Sequence, residues 1–261
     1  MARVRVIPVL LLAQNGMVKT VRFAWPRYLG DPINAVKIFN EKMVDELILL
    51  DIEATTRGRV DFNRIEEIVS EAFMPVAYGG GVNSIEQCAE LFKRGVEKVV
   101  INTAACERPQ LVTEAAQRFG SQSVVVSIDT RHNLWKRRKV YIKGGRKDSK
   151  FSPVELAIKS EELGAGEIFL TSMEQEGTFE GYDIELLHSV CSVVDIPVIA
   201  NGGAGSINDF EQAVVKGGCS AVAAGSMFVF ATKGQGVLIN YPSESELQEH
   251  FWSLLTWQKT S

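Results

Sequence analysis

The sequence predicts an α/β fold, a closed (βα)8 TIM barrel. Apolar strand-like runs alternate with amphipathic helical stretches, eight of each can be counted, and the chain resembles itself at half its length. Its 261 residues suit one large barrel over 1–261, and no linker or low-complexity segment divides them.

The strand-like runs lie near Val4–Leu10, Glu46–Asp51, Met74–Tyr78, Lys98–Ile101, Ser123–Asp129, Glu167–Thr171, Ile196–Ala200 and Ser220–Ala223. Several are almost wholly apolar, the pattern of strands buried on both faces. Between them, Phe62, Ile65, Val69 and Ala72 share one helical face, as do Ile85, Cys88, Ala89 and Phe92. Ser84 with Gln87, Ser152-Pro153 with Glu155, and Ser243 with Glu246 carry helix-start signals.

Alternating strands and helices fit an open sheet as well as a barrel. The repeat decides between them. M-P-V-A-Y-G-G-G-V-N-S-I (Met74 to Ile85) returns as I-P-V-I-A-N-G-G-A-G-S-I (Ile196 to Ile207), Pro75 and Pro197 being 122 positions apart. Glu46-Leu47-Ile48-Leu49 likewise matches Glu167-Ile168-Phe169-Leu170. A period this long implies two half-barrels, about 1–120 and 121–261, rather than a solenoid.

A formal net charge of −4 gives no overall pull toward nucleic acid or a membrane surface. The N-terminal apolar run is too short to span a membrane and lacks a small-residue cleavage pattern, so a cytoplasmic location is expected. Cys88, Cys106, Cys191 and Cys219 form no C-x-x-C pair and read as reduced core thiols. His132, His188 and His250 lack ligand spacing, so no metal and no cofactor is expected.

Barrel chemistry belongs at the C-terminal strand ends. Gly80 and Gly81 follow the third strand, and Gly202 and Gly203 follow the seventh. With Asn102 and Thr103 after the fourth and Gly225 and Ser226 after the eighth, they outline two anion pockets related by the repeat. Such a pair would suit an elongated bisphosphate. Asp51 and Asp129 end the second and fifth strands as acid–base candidates or loop anchors, and Lys19 in the first βα segment reads as a phosphate contact or a solvated lysine. At the opposite rim Arg5, Glu46, Lys98 and Glu167 stand at strand starts. They form either a salt-bridge ring across the floor or four solvent-facing charges. The basic stretch from Arg131 to Lys150, with Trp135 inside it, reads as a long flexible loop. Solvated by default, it could also be a lid attracting an anionic substrate; a nucleic-acid patch fits poorly with the acidic whole.

The motifs V-I-P-V, G-D-P-I-N-A, D-E-L-I-L-L-D-I, Y-G-G-G-V, I-N-T-A-A, F-G-S-Q-S-V-V-V-S-I-D, G-A-G-E-I-F-L-T-S, E-G-T-F-E-G-Y-D and N-G-G-A-G resemble the cyclase subunit of imidazole glycerol phosphate synthase, from about Arg5 to Phe228. The resemblance implies a glutaminase subunit docked on the N-terminal barrel face and ammonia passing through the barrel. It implies an ammonia gate at Arg5, Glu46, Lys98 and Glu167, and phosphate binding at Gly80, Gly81, Asn102, Thr103, Gly202, Gly203, Gly225 and Ser226. In that family two aspartates serve as catalytic acid and base. Asp129 matches the second, but the first falls on Leu11, which carries no proton. The stretch E-Q-E-G-T also puts Glu176 where the family has aspartate.

An intact conduit with half an acid–base pair resembles a divergent branch found with bacterial surface-polysaccharide (O-antigen, lipopolysaccharide) genes. The L-L-L run after the first strand, K-T-V-R-F, G-D-P-I-N-A-V-K-I-F-N and G-V-L-I-N-Y-P are similar to that branch. There the barrel supplies ammonia to an ATP-dependent amidotransferase that makes acetamidino sugars. One alternative is the lyase-type cyclase of histidine biosynthesis, converting the phosphoribulosyl-formimino aminoimidazole carboxamide ribonucleotide (PRFAR) plus ammonia to imidazole glycerol phosphate and aminoimidazole carboxamide ribonucleotide. The other is a scaffold that conducts nothing.

Overall fold

In the computed structural model, which describes residues 3–233 and 235–257, eight parallel strands close into a barrel. They are β1 (Arg5–Ala13), β2 (Leu47–Asp51), β3 (Val76–Gly79), β4 (Lys98–Ile101), β5 (Val124–His132), β6 (Glu167–Ser172), β7 (Val198–Asn201) and β8 (Ala221–Ala224). Each strand pairs with the next, and β8 returns to β1 with Arg5 beside Ala221 and Pro8 beside Ala224. The apolar runs marked these strands with shifts at the ends. β1 and β5 extend beyond their runs because each continues into an antiparallel hairpin, Leu11 pairing with Val18 and Asp129 with Tyr141.

Alternation along closed strands divides the interior into two packed regions. Ile7, Val9, Leu11, Ile48, Ala77, Val100, Val125, Phe169, Ile199, Ala221 and Ala223 cluster inside the bore. Their chain neighbours, such as Val6, Leu10, Leu49, Val126 and Val222, face outward into a second cluster shared with the helices. Bulk therefore varies around the bore, from Phe169 on β6 to the alanines on β3 and β8.

Outside lie α1 (Pro32–Glu41), α2 (Phe62–Val69), α3 (Ile85–Lys93), α4 (Gln110–Phe119), α5 (Pro153–Glu162), α6 (Ile184–Cys191) and α7 (Ile207–Val215). Their starts are fixed locally. Ser84 accepts from the Gln87 backbone, and Ser152 forms a full capping box with Glu155. A second box, Ser243 with Glu246, opens the C-terminal helical segments. These fold back on the N-terminal face, where Tyr241 Oη donates to Val6 O at 3.0 Å and Trp252 Nε1 to Val4 O at 2.9 Å.

Two expectations are corrected. Arg131 to Lys150 is not a long irregular loop but an ordered hairpin, Arg138–Ile142 pairing with β5 and with Lys147–Asp148. Val140, Tyr141 and Ile142 are all buried, a short apolar run hidden beneath the density of charge. Lys19 likewise sits in an ordered hairpin, Gly16–Val21 with Ala24–Gly30, and is buried rather than solvated. All four cysteines are free; Cys191 and Cys219 lie 3.7 Å apart, sulfur to sulfur. Among the described residues no helix is long and apolar enough to cross a membrane.

Phe210 on α7 packs against Phe228 and Phe251, with ring centroids at 6.3 and 5.8 Å. It joins the barrel wall to the C-terminal segment. Phe210→Ala should cost about 3–5 kcal/mol in urea denaturation, and a loss below about 1 kcal/mol would refute that junction.

Candidate functional site

Four charged side chains meet at the N-terminal end of the bore. Arg5 donates to Glu46 and to Glu167, and Lys98 Nζ stands 2.9 Å from Glu46 Oε2 and 2.9 Å from Glu167 Oε2. The result is a closed ring in which each cation touches both anions. Arg5, Lys98 and Glu167 belong to β1, β4 and β6, and Glu46 immediately precedes β2, at positions whose side chains turn inward. Glu46 and Glu167 are buried. Burial alone would lower the Arg5 pKa, but the charges of Glu167 and Glu46 outweigh it and hold the guanidinium ionised. Ions this desolvated persist only when paired, and the ring leaves none without a counter-charge.

At the other end of the bore lies a cavity of about 540 Å³. Its lining is two-sided. Val9, Leu11, Leu50 and Ile52 give an apolar wall from β1, β2 and the turn after β2. Ser127, Asp129, Thr171 and Asn201 give a polar wall from β5, β6 and β7. Ser127 Oγ donates to Asp129 Oδ1 and Asn102 Nδ2 to Asp129 Oδ2, both at 3.3 Å, and Asn201 Nδ2 donates to Thr171 Oγ1 at 3.1 Å. Burial raises the Asp129 carboxyl to about 7, while hydrogen bonds from Ser127 and Thr171 limit the rise. β1 and β5 are four strands apart in the eight-strand ring, so Leu11 and Asp129 stand on opposite sides of the mouth. The group facing Asp129's side of the cavity is therefore a hydrocarbon.

The predicted anion residues separate into two groups. Gly80, Gly81, Asn102 and Thr103 line the cavity. Thr103 Oγ1 accepts the Lys143 backbone N–H at 3.0 Å, and the side chains of Arg108, Lys143 and Arg146 come to the same wall. Gly80 has φ 122°, and a Cβ there would lie 2.4 Å from Asp51 O, so only glycine fits between these turns. Gly202, Gly203, Gly225 and Ser226 are not part of the cavity wall. Gly181 N donates to Gly203 O at 2.9 Å, and a Cβ on Gly203 would meet Gly181 O at 2.0 Å, so the segment after β6 lies directly upon this loop.

Lys19 and Asp51 are both committed within the protein. Lys19 Nζ pairs with Glu176, both being buried, and would stand 3.1 Å from a Cβ on Gly225. Burial lowers the Lys19 ammonium to about 7. Asp51 lines the cavity, but its Oδ1 accepts from the backbones of Glu53 and Ala54 at 3.0 Å and its Oδ2 from Arg57. It anchors the turn after β2. Ser127 and Asn201 escaped the sequence reading. The signal was the strand alternation itself, since Ser127 lies two residues before Asp129 and so points the same way. Among the described residues no cluster of histidine, cysteine, aspartate and glutamate could hold a metal ion.

The family model described as "Histidine biosynthesis protein" matches residues 5–233, nearly all of this architecture. The chain belongs to that family. Its relatives within the histidine biosynthesis family include a protein of Pseudomonas aeruginosa provisionally named as an imidazole glycerol phosphate synthase subunit, 50% identical over 95% of this chain and 99% of that protein. A similarly provisional subunit of Leptospira interrogans is 42% identical over 97% of this chain and 100% of its own length. Imidazole glycerol phosphate synthase subunit HisF of Alkaliphilus metalliredigens is 38% identical over 86% of this chain and 89% of its own.

Asp129 gives the pH profile of stability an acid limb. Between the ordinary aspartate value of 3.8 and about 7, the folded protein keeps the Asp129 proton that the unfolded chain has released. Stability contributed there is lost as pH rises. Asp129→Asn should flatten the acid limb of the urea midpoint against pH. An unchanged acid limb would refute a strongly raised Asp129.

Proposed function

We propose that this chain is the barrel subunit of a glutamine amidotransferase system, receiving ammonia from a glutaminase subunit at the ring face and passing it through the bore. The carrying observation is a contrast between the two ends: a complete salt-bridge ring around the floor, and Leu11 opposite Asp129 at the mouth. Ammonia is neutral and small, so it crosses apolar surroundings at little cost, whereas ammonium would have to be desolvated. The ring acts as the gate, and the apolar cluster above it keeps water and protons from the cargo.

Met43, Phe73 and Val193 support a partner at the ring face. All three are exposed, at 77%, 88% and 39%, and lie in the turns leading into β2, β3 and β7. Turns before strands share one face of a barrel with the ring.

Without a proton carrier at position 11, cyclisation would lose one positioned acid–base group, worth roughly 10²–10⁴-fold in rate. The preferred acceptor is therefore a separate ATP-dependent amidotransferase building an acetamidino sugar for a surface polysaccharide, in the cytoplasm. A second reading, the histidine-pathway cyclase, is favoured by the names of the relatives and by the buried Asp129. Growth of a histidine auxotroph lacking its own cyclase subunit separates the two. No rescue is expected; rescue would sink the delivery reading as stated. If the cyclase reading holds, Asp129→Asn should abolish cyclisation fed with added ammonia.

Arg5→Ala or Lys98→Ala in the reconstituted complex should keep glutamine hydrolysis but lower glutamine-dependent product by about tenfold or more, with free ammonium appearing in the medium. Full transfer without leakage would favour a scaffold that conducts nothing.

A further inference from the structure

The two predicted anion pockets are related by the internal repeat, yet only one opens to the cavity. The difference lies in what the loops above them carry. Over the first pocket, Lys143 gives Thr103 Oγ1 a backbone N–H, and its ammonium lies 3.1 Å from Glu107, which also lines the cavity. Arg146 reaches the same wall and donates to the Thr56 hydroxyl at 3.2 Å, and among the described residues no carboxylate pairs with it. Positive charge remains there to meet an anion.

Over the second pocket a lysine points inward instead. Lys19 runs against the Gly225 turn, and its ammonium is taken by Glu176. The two residues sit on segments tied together by their backbones, Arg22 N donating to Glu176 O at 2.8 Å, with a Cβ on Gly177 falling 2.7 Å from Thr20 O. Lys19 is 4% exposed and Glu176 6%, with Glu176 reaching the cavity wall, so each is the other's counter-charge where little water can replace it. An anion arriving at the second pocket would have to take Lys19 from Glu176 and strand a buried carboxylate. Ser226 Oγ, also buried, has no hydrogen-bond partner, so part of the second pocket's polar machinery stands uncommitted.

We propose that Glu176 determines ligand specificity by acting as an internal anion: it claims Lys19, and the cavity accepts a ligand with one anionic end rather than two. This rests on the mouth being a ligand site, as the proposed function also assumes, but not on ammonia crossing the bore; ring variants test that step without touching Glu176.

Inorganic phosphate is the probe, used with the full chain. Crystals of the natural protein grown without phosphate and then soaked in it should show one ion, against Gly80, Gly81 and Thr103. Titration calorimetry should give one site. In Glu176→Gln and Glu176→Ala, Lys19 is freed, and a second ion should appear beside Gly203, Ser226 and Lys19 Nζ, with two sites in solution and at least tenfold tighter binding at the new one. Circular dichroism shows whether each variant is folded; Gln, close in size to Glu, covers the case in which Ala is not. Two ions in the natural protein, none in it, or a folded Gln variant still limited to one would each overturn the proposal.

Discussion

Closure of β8 onto β1 is the constraint on which the rest depends. Once the sheet has no edge, every second side chain of every strand enters a bore from which water is excluded. Hydrocarbon is cheap there. A charge survives only with a counter-charge in reach. The ring meets that demand because its members stand at or beside the starts of four strands, close enough for each cation to bridge two glutamates. The same alternation, carried along to the mouth, assembles Ser127, Asp129, Thr171 and Asn201 into one polar wall.

The two halves share a plan and differ in execution. Their βα turns after β3 and β7 both need glycine because neighbouring backbone comes within contact distance of where a Cβ would be. Their roofs differ. A hairpin carrying Lys143 and Arg146 to the cavity wall covers the first half, whereas a buried Lys19–Glu176 pair covers the second. A repeat in sequence thus became an asymmetric cavity, apolar on the β1 and β2 side and hydrogen-bonding on the other. This is the environment that raises Asp129 and lowers Lys19 toward the same pH region, one by making its charge costly and the other by the same cost with opposite sign.

Much of this was legible in the residues. The strand runs, the capping serines and the half-length repeat led to the barrel, since each is a local signal with a local cause. The anion residues were legible as types at strand ends. Whether they share one cavity was not, because that depends on how the segments after β1 and β6 pack across the mouth. Arg131 to Lys150 shows the opposite failure: nine cations in a short stretch obscured the apolar run Val140-Tyr141-Ile142, and tertiary pairing with β5 overrode the look of a solvated loop.

By itself the amino-acid order determined the barrel, the four strand-start charges and the apolar Leu11 near the end of the first strand, because periodicity and residue type need only near neighbours to take effect. Tertiary structure alone decided that those charges close on one another, that Asp51 is spent anchoring a turn, and that Lys19 faces Glu176 instead of solvent. The physical reason is distance along the chain: Arg5 and Glu167, or Lys19 and Glu176, meet only after the sheet has curved into a circle, and a contact of that kind has no signature in either segment separately.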